Sequence, residues 1–255
     1  MPRIRPVSHE DELSIVDHLD ELRSRLMIAI SAFVVAFAVC AWQSDRILEF
    51  VNKPLPPEFD KPITFGVTEP FTTTFTNSAY AAILISLPII LYQLYAFVLP
   101  AFSPSEKRVA KPLMLMVPFL FIAGVAFCYY VVLPPATDFL LSFNASEFNT
   151  QVRARDYYSF ATLTMVAMGL GFQVPVLILA LVKLNIVTTR QLRQNRRYAV
   201  LVIAVLAALL PTIDPITMLL EMVPLLLLYE ASIWLATWLT RPSSSAAEVA
   251  AADGR

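Results

Sequence analysis

The chain has 255 residues, of which 57% are hydrophobic and 15% charged, with a mean hydropathy of +0.64. Soluble domains run about 45–50% apolar and about 25% charged, so this composition excludes an ordinary water-soluble enzyme and points to a chain that uses lipid as part of its solvent. A formal net charge of -1 supplies no bulk basic field and argues against a nucleic-acid partner. Only five glycines are present, and no nucleotide-binding, nucleophile-elbow or zinc-protease signature occurs. No catalytic residue and no cofactor are therefore assigned. His9 and His18 are too few to build a zinc site, so no metal is assigned. Cys40 and Cys128 lie in apolar stretches, where a thiol behaves as a small hydrophobe.

In chain order, residues 1–25 form an N-terminal segment, 26–238 a six-helix transmembrane domain and 239–255 a small, polar tail read as disordered. Glu10, Asp11, Glu12 and Asp17 precede the first apolar window, 26–42. That acidic approach and the missing small-residue cleavage site argue against a signal-peptide core, and the window is expected to be retained. Residues 43–74 are a long loop rich in proline, read as an extended or short-helical cap. The second window, 79–102, lies inside a longer charge-free run, 70–105. The third is 112–137, followed by a sizeable loop to about residue 156 that opens with Pro134 and Pro135. The fourth is 157–182. The fifth, 198–213, holds a helix of about 13 residues reaching only about 20 Å, well short of the roughly 30 Å hydrocarbon layer. A tight two-proline hairpin joins it to the sixth, 215–238. All six windows are read as helices, because backbone in hydrocarbon must satisfy its hydrogen bonds internally.

Six spans place both termini on one side. The segments on that side (1–25, 103–111, 183–197 and 239–255) hold fourteen Lys and Arg residues against five in 43–78 and 133–156, which predicts cytoplasmic termini. Within the spans, ionisable and amide groups need an account. Asp214, directly before Pro215, fits a helix cap. Glu230 fits an interfacial position, and Gln173 fits interhelical hydrogen bonding. Glu221, seven residues into the last helix, either faces water or pairs with a cation. At the head of the first span Glu21 and Arg25 stand at i, i+4, spaced for a modest ion pair. Glu106 follows Pro104 as a carboxylate favoured at a helix N-terminus.

Several motifs then carry a resemblance. They are H-L-x-E-L-R-x-R (His18, Leu19, Glu21, Leu22, Arg23, Arg25), the Pro54-Leu55 and T-E-P-F pieces of the first loop (Thr68, Glu69, Pro70, Phe71), and P-x-x-L-Y-Q-x-x-A-F-x-x-P-A from Pro88 through Gln93 and Phe97 to Ala101. Glu106-Lys107-Arg108, Y-x-V-x-x-P ending at Pro134, F-Q-V-P at Phe172 to Pro175 and the Asp214 hairpin complete the set. In this order the chain resembles the TatC family, the multispanning receptor subunit of the twin-arginine protein translocase, from Asp17 to about Trp238.

The resemblance implies an all-α polytopic fold with two short final helices, and a non-enzymatic receptor in the bacterial cytoplasmic membrane. It implies binding of the twin-arginine signal peptides of folded precursors and recruitment of single-span TatA/TatB-type partners into an oligomeric complex, with transport driven by the proton-motive force. By the same likeness Glu21, Arg23, Phe97 and Glu106 contact the signal peptide. Gln173 and Asp214 make polar contacts with a partner or within the membrane, and Pro54, Glu69 and Pro88 are structural. Gln173 stands where many relatives carry Glu, P-T-I-D-P replaces the more usual T-P-P-D, and Met218 stands where Gln is common. Glu221 is unusual for the family. The competing reading from another class, an ion-coupled small-solute transporter using Asp214, Glu221 and Glu230 as a relay, would bring broken helices and repeat symmetry, and the sequence carries no internal repeat.

Overall fold

The computed structural model describes residues 9–59, 61–98, 104–184, 186–208 and 214–239. They form α1 (His9–Trp42), α2 (Ser44–Asn52), a 3-10 turn (Pro57–Phe59), α3 (Glu69–Val98), α4 (Pro104–Phe127), a π-helical turn (Cys128–Val132), α5 (Leu133–Ser142), α6 (Ala154–Gly171), α7 (Val174–Lys183), α8 (Thr189–Gln194), α9 (Arg196–Ala208) and α10 (Pro215–Leu239). Among the described residues, five segments are long and apolar enough to cross a membrane: His18–Trp42, Glu69–Val98, Leu113–Ser142, Ala154–Lys183 and Pro215–Trp238. The described part of α9 has 13 residues and rises about 20 Å, against roughly 30 Å of hydrocarbon. Residues 209–213 of the expected hairpin and the tail from 240 onward lie outside the described residues.

Helices α1 and α3 run antiparallel. His18 stacks on Phe97 with ring centroids 4.4 Å apart, and at the opposite end Phe37 meets Phe75 edge-on at 5.1 Å. Two apolar clusters hold the remaining helices. One joins Val117 and Phe121 of α4 to Leu179 of α7 and Ile233 of α10. The other joins Cys128, Val132, Ala161 and Met168 to Val51 and Leu55 of the first loop. Both cysteines are free and buried.

The two long loops form one cap. The Tyr129 hydroxyl donates to the Phe50 carbonyl at 2.7 Å, the Tyr157 hydroxyl to Val51 at 2.6 Å and the Thr137 hydroxyl to Pro54 at 2.9 Å. Ile63 exchanges backbone bonds with Val152 and Ala154 at 2.8 and 2.9 Å. The second loop differs from expectation, since 133–142 is helix. Prolines 134 and 135 lack the N–H groups that would close ordinary turns, and the chain answers with a wide π-helical turn before them, in which Leu133 N–H reaches the Cys128 carbonyl. Both then sit in the first turn of α5, where proline is compatible with helix. The fourth span is likewise interrupted at Phe172 and Gln173, ahead of Pro175, and continues as α7. Helix α3 passes through Pro88 unbroken.

The backbones of α4 and α6 approach closely at two glycines. A Cβ on Gly124 would lie 2.7 Å from the Met168 carbonyl oxygen and 2.9 Å from the Gly169 Cα, and one on Gly169 would strike the Phe121 ring at 2.6 Å. Because apolar side chains gain nothing by leaving lipid for protein, such close contact is what holds membrane helices together. Gly124→Val is therefore expected to destabilise the protein by about 1–3 kcal/mol through overpacking, measured as a fall in unfolding midpoint in detergent, while Ala123→Val one position away changes it little.

Candidate functional site

At the end of the bundle where α1 begins and α3 finishes, Glu21 accepts two hydrogen bonds from Arg25, Nη2 at 2.6 Å and Nε at 3.0 Å. The pair is partly buried, with side-chain exposures of 33% for Glu21 and 25% for Arg25. Arg25 Nη1 also donates to Gln93 Oε1 across the helix interface at 3.2 Å. Together with the His18–Phe97 stack, this brings the two sequence motifs, about seventy positions apart, into one patch containing Glu21 and Phe97. Arg23 is turned away from that patch. It is exposed and lines a shallow, mostly apolar groove between α1 and α3 with Asp20, Met27 and Ile89. Glu106 lies in the first turn of α4; its side chain is outside those described.

Gln173 occupies the break between α6 and α7. It is buried, its amide donates to the Val117 carbonyl at 3.0 Å, and its Oε1 has no partner. It borders a cavity of about 390 Å³ whose other walls, including Leu91, Tyr95, Leu113 and Ala180, are largely apolar. Asp214 Oδ1 accepts from the Thr217 backbone N–H at 2.7 Å, capping α10. Glu221 is fully buried and both its carboxyl oxygens lack a partner among the described residues. Glu230 is exposed and paired with Arg196 at 2.7 Å. No group of three or more potential metal ligands occurs among the described residues.

At the opposite end Glu69 accepts from the Phe65 and Gly66 backbone N–H groups at 2.7 and 3.1 Å and from Arg153 Nε at 2.6 Å. This carboxylate ties the head of α3 to the head of α6. The hydrogen bond to Glu69, then the charges of Glu69 and Asp156, raise the Arg153 guanidinium above its already high value, so it stays charged. Arg153 also lies over the Phe65 ring at 5.5 Å. Sequence reasoning assigned no role to Arg153, Gln93 or His18. The last two stand within motifs that signalled them, whereas Arg153 is 84 positions from Glu69 with no local pattern to mark it.

The family described as Sec-independent protein translocase protein (TatC) matches residues 17–224. The chain belongs to the TatC family. It is 34% identical over 228 residues to the TatC protein of Carboxydothermus hydrogenoformans, covering 89% of this chain and 94% of that one. It is 37% identical over 221 residues to that of Campylobacter jejuni, covering 85% and 90%. A chloroplastic relative from Arabidopsis thaliana is 33% identical over 92% of this chain and 69% of its own. Among solved structures, a crystal structure of the twin-arginine translocase receptor TatC superposes with a TM-score of 0.75 at 35% identity, covering 88% of this chain and all of that one. A second, of the same receptor in DDM, gives a TM-score of 0.75 at 34% identity.

Within this TatC fold the Glu69–Arg153 pair clips the 65–69 loop to the cap, because three of the carboxylate's acceptor positions are already filled. Arg153→Ala leaves Glu69 with backbone donors alone. The expected result is faster proteolysis and faster amide exchange across 62–69, with exchange in α7 and α10 unchanged, read by hydrogen-exchange mass spectrometry.

Proposed function

We propose that this chain is the receptor core of a twin-arginine translocase in a bacterial cytoplasmic membrane, with both termini in the cytoplasm and no catalytic chemistry of its own. It binds the paired arginines of signal peptides on folded precursors through Glu21 and Glu106, with Phe97 and Arg23 at the same membrane face, and recruits TatA/TatB-type single-span partners into an oligomer driven by the proton-motive force. What carries the reading is family membership over nearly the whole folded chain together with a carboxylate, Glu21, held by Arg25, which also donates to Gln93. The excess of Lys and Arg in the segments on the Glu21 side supports the orientation.

The chemistry is an exchange of ion pairs. A guanidinium meets a carboxylate with two parallel N–H donors, which the lysine ammonium cannot reproduce. Glu21 already has such a partner, so an incoming arginine displaces Arg25 or shares the carboxylate with it. Discrimination of arginine from lysine then rests on geometry, because total charge is the same for both. An exposed pair contributes only about 0–1 kcal/mol, so affinity also requires apolar contact between the signal's hydrophobic segment and the bundle. Binding of a twin-arginine peptide to the full-length protein is expected to weaken about tenfold, roughly 1.4 kcal/mol, for Glu21→Ala or Glu106→Ala. It should weaken similarly when both peptide arginines become lysine. Undiminished affinity in the double Ala variant overturns the assignment.

Gln173 serves a different contact. The residue borders an apolar cavity and its Oε1 is unpartnered, and glutamine cannot titrate, so hydrogen bonding to an inserted helix is the polar role open to it. Asp214, which holds the start of α10, orders the surface beside the short α9 for a partner. Gln173→Leu is expected to leave signal-peptide binding intact while weakening partner crosslinking by an amount equivalent to roughly 0.6–2 kcal/mol, and Gln173→Glu should be tolerated. Parental transport with undiminished crosslinks in Gln173→Leu would reduce this residue to ordinary interhelical packing.

A further inference from the structure

The outward half of α3 carries a polar stripe that the receptor function does not use. Thr72, Thr73, Thr76, Asn77 and Tyr80 recur at helical spacing and face the head of α6, where Ser159 and Arg155 stand opposite. Between them is a cavity of about 670 Å³, with the Glu69–Arg153 pair in its lining. Tyr80 is eleven residues beyond Glu69 and so lies about 16 Å further along the helix axis. The stripe therefore begins at the membrane surface and runs well into the span.

Two of its groups are buried and unsatisfied. Asn77 is 2% and Thr73 7% exposed, and Asn77 Oδ1 and Thr73 Oγ1 have no hydrogen-bond partner. With Thr72, Thr76, Tyr80 and Ser159 these residues give the cavity a polar wall, which favours a polar occupant over an acyl chain. The charge balance narrows its chemistry. Arg153 is engaged by Glu69, whereas Arg155 is exposed and has no carboxylate partner among the described residues, so the lining has one positive charge in excess. Phe65, which lines the cavity, is 71% exposed. A polar cleft with a free guanidinium and an exposed aromatic ring in its lining, at the membrane surface, matches an amphiphile with an anionic head.

We propose that this cavity seats one phospholipid of the leaflet opposite the Glu21 end. Its phosphate pairs with Arg155, and its headgroup and ester oxygens, with their water, meet the hydroxyl and amide groups of the α3 stripe. The site lies between α3 and α6 at the far end of the bundle from Glu21, so it is independent of signal-peptide binding.

The test uses the full-length protein, delipidated in mild detergent and offered phosphatidylglycerol, a phosphate-free diacyl glycolipid with the same chains, or inorganic phosphate. Native mass spectrometry and thermal unfolding are the readouts. One retained phosphatidylglycerol is expected, with little retention of the glycolipid. Loss of this ion pair in Arg155→Ala should weaken retention about fivefold, whereas Arg46→Ala, which removes an equal charge elsewhere on the cap, leaves it unchanged. Asn77→Leu should weaken it further. Equal retention in Arg155→Ala and Arg46→Ala overturns the proposal, and because Arg155 is exposed that comparison does not depend on a core substitution folding. Equal retention of the glycolipid, or stabilisation by inorganic phosphate as large as that by the lipid, also overturns it. So does a photocrosslinker at position 76 that captures peptide and no lipid.

Discussion

Hydrocarbon offers the backbone no hydrogen bonds, and this constraint shapes every part of the molecule. The described residues are almost wholly helical, and their one bridged backbone pair, Ile63 with Arg153, lies in the cap beyond the membrane-crossing segments. Where prolines deny the helix a donor, the chain keeps its bonds by changing pitch, as at Cys128–Val132, or by restarting, as at Val174. The same constraint makes each unpartnered polar atom informative. Gln173 Oε1, Asn77 Oδ1 and the Glu221 carboxyl oxygens are among the buried side-chain atoms without a hydrogen-bond partner among the described residues, each costly at such depth.

Helix association must come from shape and polar contact, since lipid removes the ordinary hydrophobic driving force between helices. The Gly124–Gly169 approach, filled over by Phe121, supplies the shape term between α4 and α6. Tyrosine hydroxyls from Tyr129 and Tyr157, reaching carbonyls in the first loop, supply the polar term and fasten the cap. These contacts leave the outer face of α1 uncovered, its spanning window only 6% buried, while its inner face packs along α3 through His18–Phe97, Arg25–Gln93, Phe37–Phe75 and the cluster of Ala36, Cys40 and Ala82.

The two ends of the bundle do opposite electrostatic work. Near Glu21 the carboxylate is partly exposed and held by a single neighbouring arginine, an arrangement that another guanidinium can enter. Around Glu69 the carboxylate is buried, with backbone donors and Arg153 already in place, an arrangement that fixes a loop. The difference lies in how many donors each carboxylate has already satisfied, since both are acidic side chains beside an arginine.

Composition and the spacing of charge-free windows were enough to make this chain a multispanning helical membrane protein with a short penultimate helix, because the length of apolar sequence needed to cross hydrocarbon is set by helix geometry alone. The motifs carried the family, and the i, i+4 spacing of Glu21 and Arg25 carried their ion pair, because both are local. Tertiary structure alone decided that Leu133–Ser142 is helix and that the fourth span breaks at Gln173. It alone joined Glu69 to Arg153 and set Asn77 in the wall of a polar cavity. Each of these depends on which helices meet, and at what depth. Helix packing fixes that through contacts between residues dozens of positions apart, whereas the sequence pattern records only which face of each helix is apolar.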